Sequence, residues 1–259
     1  MFNLLYQSGR DLATKYSNFK GGIVSGIQLS NECYIKDTCW KFHNNPDAEC
    51  KKQDIYCPRL FRMNYLFDES LMSMKQRMYI PLRIDEDGTD AEAFGRLKTI
   101  ETNIEQFVSG GNNLYLHSTT CGNGKTAWAL RLLQSYIGKI WYKSDLTCKV
   151  LFINVPRFIL ALKDSISETN DYVQHIKKNI FNADLVVFDE VGTKALTTWE
   201  HEQILNLVNT RIDMNKSNIY TSNLTGLELR DKVGDRLYSR IMNLSVDIEL
   251  FGSDKRGVV

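Results

Sequence analysis

Apolar residues in the C-terminal two-thirds of the chain fall into two alternating patterns. Short runs stand at Leu114-Tyr115-Leu116, Val150-Leu151-Phe152-Ile153, Leu185-Val186-Val187-Phe188 and Ile219-Tyr220. Unbroken runs of this length are expected of strands buried on both faces. Between them, apolar residues recur at helical spacing. Phe94, Leu97, Ile100, Ile104 and Phe107 predict a helix over 91–108, stopped by Ser109-Gly110-Gly111. Ala129, Leu132, Leu133 and Tyr136 predict a second. Pro156 suits the first turn of a third, with Phe158, Ile159 and Leu162 inward, and a fourth follows from Asp171 with Val173, Ile176 and Ile180. Thr197-Thr198-Trp199-Glu200 has the form of a capping box, opening a helix with Ile204, Leu205, Val208 and Ile212 on one face. Val246, Ile248 and Leu250 alternate as a closing strand. The order predicts an α/β domain: a parallel sheet with helices on its faces.

The first part of the chain reads differently. Four of its six cysteines, Cys33, Cys39, Cys50 and Cys57, lie close together, while Cys121 and Cys148 lie in the α/β part. Residues 31–62 offer few aliphatic side chains, so a metal would supply what burial does not. The four thiolates suit Zn²⁺, with His43 as an alternate ligand. An Fe–S cluster also takes four thiolates, and unliganded buried cysteines remain the third reading. Lys51, Lys52, Arg59 and Arg62 beside Trp40, Phe42, Tyr56 and Phe61 form either a binding face for nucleic acid or protein, or a solvated surface. The acidic loop Asp85 to Asp90 separates the parts, giving a metal-binding domain over 1–80 and an α/β domain over 81–259.

Composition narrows the function classes. A net charge of +1 gives no global attraction to nucleic acid, so any such binding needs a local patch. No run of 18 apolar residues is present to span a membrane, and the start of the chain lacks the charged and apolar regions of a secretion signal. A reducing cytoplasm is the expected compartment, which favours metal over disulfides.

The sharpest chemistry follows the first strand. Thr119-Thr120-Cys121-Gly122-Asn123-Gly124-Lys125-Thr126 leads into a helix, the order of a nucleoside triphosphate site. Backbone N–H groups of such a loop surround phosphates, and the helix N-terminus adds partial positive charge. Lys125 would reach the outer phosphates and Thr126 would bind Mg²⁺. Thr119 stands where the pattern has its first glycine, which predicts another entry to the turn or weaker binding. Leu185 to Phe188 ends in Asp189-Glu190, placing two carboxylates where open α/β sheets bind ligands. Asp189 would complete the Mg²⁺ shell and Glu190 would orient or deprotonate water. Asn223 follows another strand and could contact phosphate or water. Arg236 and Arg240 share one helix face and could serve a neighbouring subunit's phosphate.

Together Gly-Asn-Gly-Lys-Thr (122–126), Leu-Val-Val-Phe-Asp-Glu (185–190), Thr-Ser-Asn (221–223) and Arg-Leu-Tyr-Ser-Arg (236–240) resemble the AAA+ ATPases, and within them the DnaC/DnaI-type helicase loaders, especially the shorter phage-encoded ones. The cysteine module resembles, more loosely, the zinc-bearing N-terminal domain of DnaI-type loaders. The resemblance implies a P-loop ATPase core without a C-terminal lid, slow ATP hydrolysis, self-association through the ATP site, and contacts with a DnaB-type helicase and single-stranded DNA. It gives Lys125 and Thr126 the Walker A roles, Asp189 and Glu190 the Walker B roles, Asn223 that of sensor 1, and Arg240 that of arginine finger, with Arg236 in reserve. Thr120, Cys121, Gly122, Asn123 and Gly124 complete the ATP loop. Lys163, Lys177 and Lys178, between the second strand and Walker B, are the candidates for DNA. Two rival readings are an IstB-like transposition ATPase and a nucleotide-switched adaptor that does not hydrolyse ATP.

Overall fold

The period-two alternation within each apolar run decides the architecture. In a computed structural model, which describes residues 58–78, 82 and 88–255, those runs become a five-stranded sheet. The strands are β1 (Asn113–His117), β2 (Val150–Asn154), β3 (Leu185–Asp189), β4 (Ser217–Ser222) and β5 (Ser245–Glu249). They are parallel throughout, in the order β2-β3-β4-β1-β5. Leu114, Leu116, Val150, Phe152, Leu185, Val187 and Ile219 face one core. Their neighbours Tyr115, Leu151, Ile153, Val186, Phe188 and Tyr220 face the other. Every residue of β1, β3 and β4 is buried, as an apolar strand covered on both sides must be.

The helices divide accordingly. Helices α1 (Pro58–Glu69), α3 (Ala91–Thr102), α4 (Ile104–Ser109) and α5 (Lys125–Ile140) contribute to the first core, and the short α2 (Met74–Arg77) lies beside α5. Helices α6 (Val155–Asp164), α7 (Asp171–Asn179), α8 (Thr198–Asp213), α9 (Gly226–Val233) and α10 (Asp235–Met242) fill the second. The single helix expected over 91–108 is broken at Asn103, whose backbone and side-chain N–H groups both donate to the Thr99 carbonyl.

The expected division at residue 80 does not follow the packing. Met63, Leu66, Phe67 and Met72, all N-terminal to it, are buried in the same core as Leu114 and Val150. Ser70 also accepts the Phe152 amide of edge strand β2 at 2.8 Å. This contact occupies an edge N–H that would otherwise be open to pairing. The α/β core therefore includes residues of α1. Cys33, Cys39, Cys50, Cys57 and His43 lie outside the described residues.

One element of the second core is not apolar. Arg211 of α8 is fully buried. Its guanidinium donates to the carbonyls of Ile180, Ala183 (2.8 Å) and Ser217 (2.6 Å) and to the Asn218 side chain (2.6 Å). It thus ties α8, the α7–β3 connection and β4 together. Burial lowers its pKa to about 10, so it stays charged at neutral pH.

Candidate functional site

The parallel register brings the phosphate loop, the β3 carboxylates and the polar end of β4 to the C-terminal ends of the strands. Asn154 pairs with Asp189, and His117 with Ser222. The loop leaving β1, the two carboxylates leaving β3 and the polar end of β4 therefore meet at one edge.

The loop is held from within. The Ser118 hydroxyl accepts the Thr120 amide at 3.0 Å and the Asn123 side-chain amide at 2.5 Å. The Lys125 ammonium donates to the Thr120 carbonyl at 2.9 Å and to Asn123 Oδ1 at 3.3 Å. Gly122 (φ 79°) and Gly124 (φ 108°) are in the left-handed region. A Cβ at Gly124 would meet nothing within 4 Å, so conformation rather than space demands glycine there. Thr119 is exposed and is not among the positive-φ residues, so the missing glycine costs the loop no backbone strain. Cys121 is exposed beside it.

Thr126 opens the following helix, and its hydroxyl donates to Asp189 Oδ1 at 2.8 Å. The Thr221 hydroxyl donates to the same oxygen at 2.7 Å and accepts the Glu190 amide at 3.0 Å. Burial, aided by the charge of Glu190, raises the Asp189 pKa; the two hydroxyl bonds oppose that shift. A carboxylate and a hydroxyl meeting at the end of a phosphate loop are hard oxygen donors, and this donor set fits Mg²⁺.

Glu190 carries backbone strain. Its φ of 62° is left-handed, a conformation that costs a non-glycine residue about 1–2 kcal/mol and holds only when neighbours over-determine it. Thr221 fixes its N–H, the Thr193 hydroxyl donates to its carbonyl at 2.7 Å, and the Asn154 amide donates to its Oε2 at 2.9 Å. Asn154 also caps α6, accepting the Arg157 amide at 3.2 Å. Asn154 and Thr221 are the partners that motif reading missed. The Asn154→Asp variant keeps the cap and removes the bond to Glu190. An aspartate still caps, but its carboxylate faces that of Glu190, so part of the support for the strained backbone is lost and stability is expected to fall by about 1 kcal/mol. The aspartate cannot donate to Glu190, and a hydrolysis step that uses Glu190 as its base is expected to slow by about tenfold. Steady-state rates and thermal melts measure the two quantities.

The remaining candidates are not part of this hydrogen-bonded cluster. Asn223 is exposed just beyond β4. Arg236 and Arg240 are exposed on α10, whose Leu237 and Ile241 are buried. Lys177 and Lys178 are exposed in the last turn of α7, where cations also complement the helix dipole.

Lys163 is engaged differently: it and Lys194 each approach buried Glu200 at 2.9 Å. The expected capping box is present, with the Thr197 amide donating to Glu200 at 2.8 Å. That amide first, then the two lysines, hold the Glu200 carboxyl at about 2, below its ordinary 4.5. A depressed folded-state pKa contributes stability above the unfolded value and loses it as pH falls through the folded one. The melting-temperature gap between wild type and Glu200→Gln is therefore full above about pH 5 and closes toward about pH 2.

Comparison with known proteins fits this geometry. A family profile for IstB-like ATP binding proteins matches residues 87–243, more than half the chain. The chain belongs to the IstB-like ATP-binding family. The matched segment contains the phosphate loop, Asp189, Glu190 and both arginines. Among solved structures, the DnaC helicase loader is similar with 21% identity and a TM-score of 0.52, over 66% of this chain and 93% of that one. DnaI is similar with 23% identity and a TM-score of 0.51, over 72% and 95%. A putative primosome component from Streptococcus pyogenes serotype M3 has 18% identity and a TM-score of 0.55, over 74% and 98%. These likenesses establish the fold as the P-loop core shared with DnaC and DnaI. No curated protein matches the sequence.

Proposed function

We propose that this chain is an ATP-dependent loader that binds a DnaB-type replicative helicase and places it on single-stranded DNA. The observation that supports this most is the arrangement of Thr126, Asp189, Thr221 and Glu190 beside the phosphate loop, in a fold common to the DnaC helicase loader and DnaI.

Loop N–H groups and the Lys125 ammonium hold the triphosphate, the lysine exchanging loop carbonyls for phosphate oxygens. Thr126 and Asp189 hold Mg²⁺, which neutralises charge on the phosphates when bound. Glu190 accepts a proton from the water that attacks the γ-phosphorus, and Asn154 and Thr221 fix its position. Asn223 contacts the γ-phosphate or that water. Arg240 or Arg236 reaches the nucleotide of a neighbouring subunit, so ATP favours assembly and slow hydrolysis releases it. Lys177, Lys178 and the Lys163 region contact DNA. The cysteine module holds Zn²⁺ through Cys33, Cys39, Cys50 and Cys57 and grips the helicase in a bacterial cytoplasm.

The family description favours a second reading, a transposition ATPase of the IstB kind. Light scattering on the full chain mixed with a DnaB-type helicase, with and without ATP, separates the two. The loader reading expects a stoichiometric complex that is lost when Cys33 and Cys39 are both replaced by serine. No complex under any nucleotide condition would favour the transposition reading.

A further inference from the structure

The segment after β5 is tied to the phosphate loop at both ends. At its start, the Leu250 amide donates to the His117 carbonyl at 2.9 Å, and the Leu250 carbonyl accepts the Asn123 side chain at 3.1 Å. At its far end, the Lys255 amide donates to the Gly122 carbonyl at 3.0 Å. Between these points both oxygens of Asp90 are engaged. Oδ1 accepts the Phe251 amide at 2.7 Å and Oδ2 the Gly252 amide at 2.9 Å. The Lys255 ammonium lies 3.9 Å from the same carboxylate.

Asp90 is an unusual residue to find doing this. It precedes the first residue of α3, where an aspartate ordinarily accepts an amide of its own helix. It makes no such bond. Its side chain is buried, and both of its oxygens instead serve a segment 161 and 162 residues away. A buried carboxylate that receives two backbone N–H groups holds that backbone firmly.

The consequence falls on the loop. Its peptides are trans and planar, so anchoring the Gly122 carbonyl turns the Asn123 N–H to the opposite side. That N–H is among those the loop offers to phosphate. Asn123 in turn touches the Lys125 ammonium and Ser118. We infer that Asp90 is a positioning residue for the nucleotide: by clamping residues 250–255 it presets the shape of the phosphate loop. This rests on the reading of that loop as an ATP site. Preorganised donors bind without first being ordered, so the effect falls on affinity rather than on the chemical step.

The test is fluorescence titration of the full chain with N-methylanthraniloyl-ATP, together with steady-state hydrolysis. Asp90→Asn removes one acceptor at nearly unchanged volume. It is expected to raise Kd and KM by about 5–10-fold with kcat kept within about twofold. A chain ending at Leu250 is expected to lose affinity by a similar factor, and adding Asp90→Asn to it is expected to change nothing more. That non-additivity separates positioning through the segment from a general loss of stability, and the shortened chain carries the test alone if Asp90→Asn does not fold. Unchanged affinity in both variants, or full additivity between them, overturns the clamp while leaving the ATP site standing. A wild-type chain that does not bind the probe overturns the ATP reading itself, and the clamp with it.

Discussion

Substituting Glu190 with glutamine leaves ATP binding intact and lowers turnover by about 10²–10⁴-fold, the usual contribution of a positioned general base. The amide keeps the shape of the carboxylate and can still accept from Asn154, so the strained backbone at Glu190 retains its supports. What it loses is the basic oxygen. Single-turnover hydrolysis beside equilibrium nucleotide binding resolves the two effects. A variant with the wild-type rate would remove Glu190 as the base. A wild type that binds ATP with no measurable turnover would favour the non-hydrolysing adaptor.

Replacing Arg211 with methionine is expected to cost about 3 kcal/mol or more of stability, among the larger effects of a single substitution. Methionine fills similar volume but leaves the carbonyls of Ile180, Ala183 and Ser217 and the Asn218 oxygen without their donor in the core. Lysine keeps the charge but cannot reproduce the fork that serves four acceptors, so Arg211→Lys is also expected to destabilise. Denaturant melts measure both. If methionine matched wild type, the four bonds would contribute no net stability.

The sheet was legible because strands buried on both faces cannot hide their composition. Val150 to Ile153 and Leu185 to Phe188 read as apolar runs for the same reason that they fill two cores. The phosphate loop and Asp189-Glu190 were legible because their chemistry demands fixed residue types at short spacing. What escaped was chemistry assembled by register. Asn154 looks like a helix cap, and it is one, but only pairing with Asp189 brings its amide to Glu190. Thr221 precedes the more conspicuous Asn223, yet it is Thr221 that touches Asp189. Asp90 reads as the last residue of an acidic loop until the end of the chain returns to it. Arg211 shares a helix with Ile204 and Val208, and nothing local announces that an arginine is buried with them. Met63, Leu66 and Phe67 fall within the expected metal-binding domain over 1–80, yet they are buried in the same core as the sheet, a contact that no local pattern announces.

The most direct test of the loading proposal is helicase entry onto a closed DNA circle. A duplex oligonucleotide is annealed to circular single-stranded DNA, which offers no free end for a ring-shaped helicase to thread. Unwinding by a DnaB-type helicase is then measured with and without this protein and ATP. The loader account predicts unwinding that depends on this protein and on ATP, and that is lost with Glu190→Gln. Unwinding no faster than that of the helicase alone, at protein concentrations that saturate with ATP, would contradict it.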